Sequence, residues 1–80
     1  FTKSLAMEVG KHNITVNCVS PGLITDAEES PSSDGTFLGR MGIPEDVAPV
    51  IAFLASEEAS YVTGADFIVD GGRSLGPKGL

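Results

Sequence analysis

The chain has 80 residues, 11 acidic against 5 basic, a net charge of −6 and a single cysteine. That length allows one small domain at most, of the size that buries only about 60% of its extended-chain surface. The acidic balance speaks against a nucleic-acid face or a polybasic membrane anchor, no apolar run approaches the roughly 20 residues that span a bilayer, and a lone Cys18 rules out an internal disulfide.

Phe1, Leu5 and Val9 recur at i, i+4 and i+8 with Ala6 beside them, the stripe of a helix over 1–9. No capping residue precedes Phe1 and no basic segment leads into an apolar core, so the stretch reads as the continuation of a longer helix and not as a signal peptide. Gly10 is placed as its C-terminal cap, with Lys11 and His12 near the negative helix end. Residues 14–19 are apolar or β-branched on both faces apart from Asn17, the pattern of a parallel strand covered by helices on both sides. Within it Cys18 behaves as a small hydrophobe in a reducing, cytoplasmic setting, and the Asn17 amide must find partners in neighbouring strands or loops. Pro21-Gly22 ends the strand.

Residues 26–36 carry four acids and no base, with Pro31 and Gly35 breaking any helix, and read as a long loop. Residues 44–56 form the next helix. Pro44 suits the first helical position, Glu45 and Asp46 suit the positive helix end, and Val47, Val50, Ile51 and Leu54 make an apolar stripe. Pro49 removes one hydrogen bond from it. After a polar turn at 56–60, residues 65–69 read as a second strand ended by Asp70-Gly71-Gly72, and 73–80 as an exposed tail. The order is helix, strand, loop, helix, strand: an α/β chain with one βαβ unit and a right-handed crossover. The strand at Ile14–Val19 needs further strands beside it. The single His12 and the absence of a His, Cys and carboxylate cluster at ligand spacing give no metal site.

These residues also carry a resemblance. Thr2-Lys3-Ser4-Leu5-Ala6-Met7-Glu8, then Ile14-x-Val16-Asn17-x-Val19-x-Pro21-Gly22-x-Ile24, then Arg40-Met41-Gly42-Ile43-Pro44-Glu45-Asp46-Val47-Ala48, then Phe53-Leu54-Ala55-Ser56, Tyr61-Val62-Thr63-Gly64-Ala65 and Val69-Asp70-Gly71-Gly72 resemble the classical short-chain dehydrogenase/reductases over nearly the whole chain. The resemblance implies the C-terminal portion of a Rossmann-type, doubly wound parallel sheet, incomplete on its own, with 1–80 as part of one NAD(P)-binding domain and 26–36 as its substrate loop. It further implies NAD or NADP as cofactor, a small carbonyl or alcohol substrate, a homo-oligomer, and no nucleic-acid or membrane partner.

For the site, the resemblance implies that Pro21, Gly22, Ile24 and Thr25 face the nicotinamide, with the Ile24 backbone bonding the carboxamide. The family's threonine falls where this chain has Asp26, so Thr25 stands one residue early. The family's Gly-rich phosphate turn, Asn-Ala-Gly strand end, catalytic Ser and Tyr-x-x-x-Lys are not in the chain. Its only tyrosine, Tyr61, is followed four residues on by Ala65, so Tyr61 is assigned to packing or a hydrogen bond at the turn before the last strand, and no catalytic residue is assigned. Two readings result: a part of an oxidoreductase that is inactive alone, or a non-catalytic short product that folds by docking on a partner.

Overall fold

The structure is a computed structural model that describes residues 1–24 and 35–76. Helix α1 spans Thr2–Val9 and runs into a 3-10 turn over Gly10–His12. Gly10 takes the position after the helix but stays right-handed (φ −59°), and the left-handed residue that ends the segment is Asn13 (φ 61°). Asparagine tolerates that conformation better than other residues with a side chain, which lets the chain tighten for one more turn before it reverses. His12 is exposed.

Strand β1 is Cys18–Pro21 and β2 is Asp66–Val69, and they pair in parallel with Cys18 opposite Asp66 and Pro21 opposite Val69. The first strand therefore lies further along the chain than the apolar run 14–19 suggests. The backbone ahead of it is satisfied differently. Val16 N–H donates to Thr63 Oγ1 and Gly64 N–H donates to the Val16 carbonyl. Asn17 Nδ2 donates to the Val62 carbonyl while its Oδ1 accepts from Ala65 N–H. The half-buried amide thus ties the approach to β1 onto the approach to β2, with both its ends satisfied. Pro21 belongs to the strand without disturbing it. Cys18 and Gly22 donate their N–H groups to Ala65 and Val69, so the odd-numbered residues of β1 point their N–H positions away from β2, and the missing donor of Pro21 falls on that far side.

Helix α2, Pro44–Leu54, packs on both strands. Its start is fixed by Pro44 at the first helical position and by Asp46, whose Oδ2 accepts the N–H of Ile43, while the Ile43 carbonyl accepts the N–H of Asp46 at 2.8 Å. The helix runs through Pro49, which lies on its exposed side. Short 3-10 turns follow at Glu57–Ala59 and Arg73–Leu75, the second where the sequence suggests a loose tail; residues 77–80 of that tail lie outside the described residues. Tyr61 is fully exposed (101%), and neither packing nor a hydrogen bond holds it among the described residues, contrary to the role assigned from sequence.

The two strands do not close a core. Among the described residues only Ala6 (5%) and Ala59 (1%) are buried apolar residues, while Phe1, Ile51, Phe53, Ile68 and Leu75 stand exposed. The accessible surface is 5927 Å², against about 4,500 Å² for a compact monomer of this mass. The radius of gyration is 15.2 Å, against about 11.6 Å for a compact 80-residue domain. The β1–β2 pair is a section of sheet with apolar surface left over, including Ile68 on the face that carries Cys18, Ser20 and Asp66.

Candidate functional site

The exit of β1 is built as a turn held from two sides. Gly22 N–H donates to the Val69 carbonyl at 2.9 Å, and a Cβ placed on Gly22 would lie 2.6 Å from Asp70 Cβ and 2.9 Å from Asp70 Cα. Only glycine lets the two strand ends lie this close. On the other side Gly42 N–H donates to the Leu23 carbonyl at 3.0 Å, and Ile24 forms a parallel bridge with Gly42. Because that ladder runs through Leu23, the N–H and C=O of Ile24 point away from Gly42, and no hydrogen bond among the described residues uses them. Pro21 is exposed and Ile24 half-buried.

The sequence-predicted residues Pro21, Gly22 and Ile24 therefore come together in one turn; Thr25 and the loop residues 26–34 lie outside the described residues. The turn separates two hollows. One, about 370 Å³ and open, is lined by Ser20, Pro21, Gly22, Asp70 and Arg73 among others. The other, about 240 Å³, is lined by Leu23, Ile24, Leu38, Arg40, Asp46 and Gly71 among others.

An ion pair lies beside the turn. Arg40 grips Asp46 through both guanidinium nitrogens, Nη1 to Oδ2 at 2.6 Å and Nη2 to Oδ1 at 2.9 Å. Hydrogen bonds from Arg40 and then from the Ile43 N–H bring the Asp46 carboxyl down to about 2, and the same pairing holds Arg40 above its ordinary value. An exposed pair of this kind adds little stability by itself; its geometric effect is to tie the approach to α2 onto the helix's first turn. A carboxyl whose pKa is depressed on folding stabilises the fold above its unfolded value, near 4, and that contribution is lost as the pH falls through about 2. Urea midpoints of the native polypeptide should thus fall slightly between pH 4 and 2 through this pair, and Asp46→Asn should remove that small part of the slope; an unchanged slope in the variant would remove Asp46 from the acid response.

Asp70 sits at the end of β2. Its Oδ2 accepts from Ser74 N–H and its Oδ1 from Gly72 N–H, both at 2.9 Å. Hydrogen bonds from Ser74, then from Gly72, hold its carboxyl below the usual carboxylate range. Gly71 (φ 65°) and Gly72 (φ 90°) supply the left-handed conformations that this turn demands. The Asp70-Gly71-Gly72 segment is a turn, as the sequence suggests, and it is also the surface against which Gly22 packs. Sequence reasoning missed Thr36, which is 4% exposed. Thr36 Oγ1 accepts from Gly39 N–H at 3.2 Å and Arg40 N–H at 3.1 Å and donates to the Arg40 carbonyl. The signal was a hydroxyl residue three positions before a glycine at the close of a loop, a local turn motif. Among the described residues no group of His, Cys, Asp or Glu gathers as a metal site, and no helix is long and apolar enough to cross a membrane.

A section of parallel sheet that delivers a backbone turn beyond its carboxyl ends is the arrangement by which open α/β sheets meet ligands. The chain belongs to the short-chain dehydrogenase/reductase family: a family model described as enoyl-(acyl carrier protein) reductase matches residues 1–74. It is 49% identical to a 3-oxoacyl-(acyl-carrier-protein) reductase of Chlamydia pneumoniae over 80 residues, covering 90% of this chain and 32% of that protein. Among solved structures, an acetoin dehydrogenase from Enterobacter cloacae is 40% identical with a TM-score of 0.86 over 99% of this chain and 34% of that one. A 4-hydroxyisoleucine dehydrogenase complexed with NADH is 38% identical with a TM-score of 0.80, over 94% of this chain and 34% of that one. The chain thus spans about a third of the length of the relatives it matches, and β1, β2 and α2 are part of a Rossmann-type sheet.

Proposed function

We propose that residues 1–80 are the C-terminal portion of an NAD(P)(H)-dependent oxidoreductase that moves a hydride between nicotinamide and a carbonyl/alcohol pair, and that the turn Pro21–Ile24 forms its nicotinamide-side wall. The observation that carries the reading is the Ile24 main chain. Its N–H and C=O are held at the end of a parallel strand, turned away from Gly42, and left without a partner among the described residues. A primary carboxamide offers one acceptor and two donors and answers both groups. These groups lie beyond the carboxyl end of the strand, on the side where ligands of open α/β sheets are met.

The chemistry supplied by bound nicotinamide is hydride donation or acceptance at its ring. This chain's part is to orient that ring. Pro21 presents an exposed, rigid apolar edge, and Gly22 keeps the turn pressed on Asp70 so that Ile24 stays at a fixed height above the strand ends. Thr25 is proposed beside them, and 26–36 as the substrate loop, on the family resemblance alone. Proton transfer is not assigned to any residue here, since the chain lacks a Tyr-x-x-x-Lys pair. A homo-oligomer is proposed on the same resemblance.

The exposed apolar residues favour a second reading, a short product that folds by docking on a partner. The native polypeptide separates the two. Intact mass and cofactor capture on immobilised NADH and NADPH should give a mass about three times 8.2 kDa and retention by one cofactor, the ratio following from the third of a relative's length that such a chain spans. A native mass near 8.2 kDa without retention would overturn the enzyme reading in favour of the docking one.

A further inference from the structure

The Pro21–Ile24 turn is held by a closed ring of contacts that runs through residues the cofactor reading does not use. Gly22 packs on Asp70 at one end. From Asp70 the chain passes to Gly71, whose carbonyl accepts both Phe37 N–H and Leu38 N–H at 3.0 Å. Thr36 lies directly before these donors, and a Cβ on Gly71 would stand 3.3 Å from Thr36 Cβ. The Thr36 hydroxyl closes residues 36–40 on themselves by accepting from Gly39 and Arg40 and donating to Arg40. Two residues beyond Arg40, Gly42 returns to the turn through the Leu23 carbonyl and the Ile24 bridge. The ring therefore leaves the turn at Gly22 and re-enters it at Leu23 and Ile24, and the buried hydroxyl of Thr36 joins its Gly71 arm to its Gly42 arm.

We propose that Thr36 is a positioning residue for the nicotinamide-side turn: its hydroxyl fixes the 36–40 loop that couples the Asp70-Gly71 turn to Gly42, and so sets where Ile24 presents its N–H and C=O. The proposal rests on the cofactor reading of Pro21–Ile24. Thr36 touches no reacting group; it acts through main-chain atoms. Removing its oxygen takes the acceptor from the Gly39 and Arg40 N–H groups, and the 36–40 loop loses the bonds that close it on itself. The disturbance then reaches Ile24 through Gly42, and it falls on the nicotinamide end of the cofactor while the adenine end is untouched.

The test is binding, measured on the full-length polypeptide by titration with the reduced cofactor and with ADP-ribose, which lacks the nicotinamide. Thr36→Val keeps the shape and removes the hydroxyl. It should weaken the reduced cofactor about tenfold, leave ADP-ribose within about twofold, and be rescued by Thr36→Ser. Gly71→Ala adds a methyl at a φ of 65° against Thr36. It should give the same selective loss, and it supplies the reading if Thr36→Val does not fold. Equal weakening of both ligands in these variants, or none, would overturn the proposal, because a merely structural residue moves both together. Gly22→Ala separates the two layers. A selective loss in Gly22→Ala without one in Thr36→Val ends the role of Thr36 alone, and the absence of selectivity in Gly22→Ala ends the wall reading beneath it.

Discussion

Residues 1–80 on their own are expected to melt without a cooperative transition and to turn over neither NADH nor NADPH. The physical reason is area. Among the described residues Ala6 and Ala59 are the buried apolar ones and no large side chain is fully buried, and the surface of 5927 Å² exceeds the compact expectation by roughly a third. Ordering a backbone costs on the order of 1–2 kcal/mol per residue, and burial of apolar surface returns only about 25 cal/mol per Å². A sheet of two strands with one helix packed on it does not close that balance. Hydrogen bonds such as those of Asn17 define the native geometry but contribute about 1 kcal/mol each. Catalysis has a separate obstacle, since the chain holds no proton-donating Tyr-x-x-x-Lys pair. Circular dichroism and calorimetry on the 80-residue chain check the first statement and a nicotinamide absorbance assay the second. A sigmoidal melt with equal calorimetric and van't Hoff enthalpies, or turnover above buffer, would contradict them.

Gly22→Ala in the full-length polypeptide should weaken binding of the reduced cofactor by about 10- to 100-fold, the equivalent of roughly 1.4–2.8 kcal/mol. An added methyl would stand 2.6 Å from Asp70 Cβ and 2.9 Å from Asp70 Cα. Neither atom is the far end of a flexible side chain, and the Asp70 turn is held by its own bonds to Gly72 and Ser74. The turn at Pro21–Ile24 must give way instead, and Ile24 moves with it. Gly10→Ala is the control. Gly10 has a right-handed backbone and open space where a Cβ would go, so an alanine there removes only unfolded-state freedom and leaves binding unchanged. Isothermal titration of both variants checks the pair. Equal effects at Gly22 and Gly10 would mean that close packing on Asp70 plays no part.

What could be read in the sequence follows how local each cause is. Pro44 followed by Glu45 and Asp46 marks a helix start through groups one to three residues apart, and α2 begins at Pro44. The parallel pairing of β1 and β2 was legible because an apolar run, a helix and a second apolar run leave few other solutions. Asn17 was readable as a tie because a buried amide has to be satisfied somewhere. The true span of β1 was not legible. Whether residues 14–17 join the ladder depends on Thr63 and Gly64, nearly fifty residues away, which take the Val16 N–H and C=O for themselves. Gly10 was legible as the cap of α1, but the 3-10 turn after it, which puts the left-handed residue at Asn13, was not. At the site, Pro21, Gly22 and Ile24 could be picked out, but their support by Asp70, Gly71 and Thr36 comes from contacts made only when β1 and β2 end side by side.

The main chain at Ile24 is proposed to meet the nicotinamide end of the cofactor, and one titration decides whether it does. The full-length polypeptide, labelled so that the Ile24 amide is resolved by NMR, is titrated with the reduced cofactor and, separately, with ADP-ribose. A large shift of the Ile24 amide is expected with the reduced cofactor and little with ADP-ribose, since only the former carries the carboxamide. The same shift with both ligands, or no shift while the cofactor binds, would contradict it.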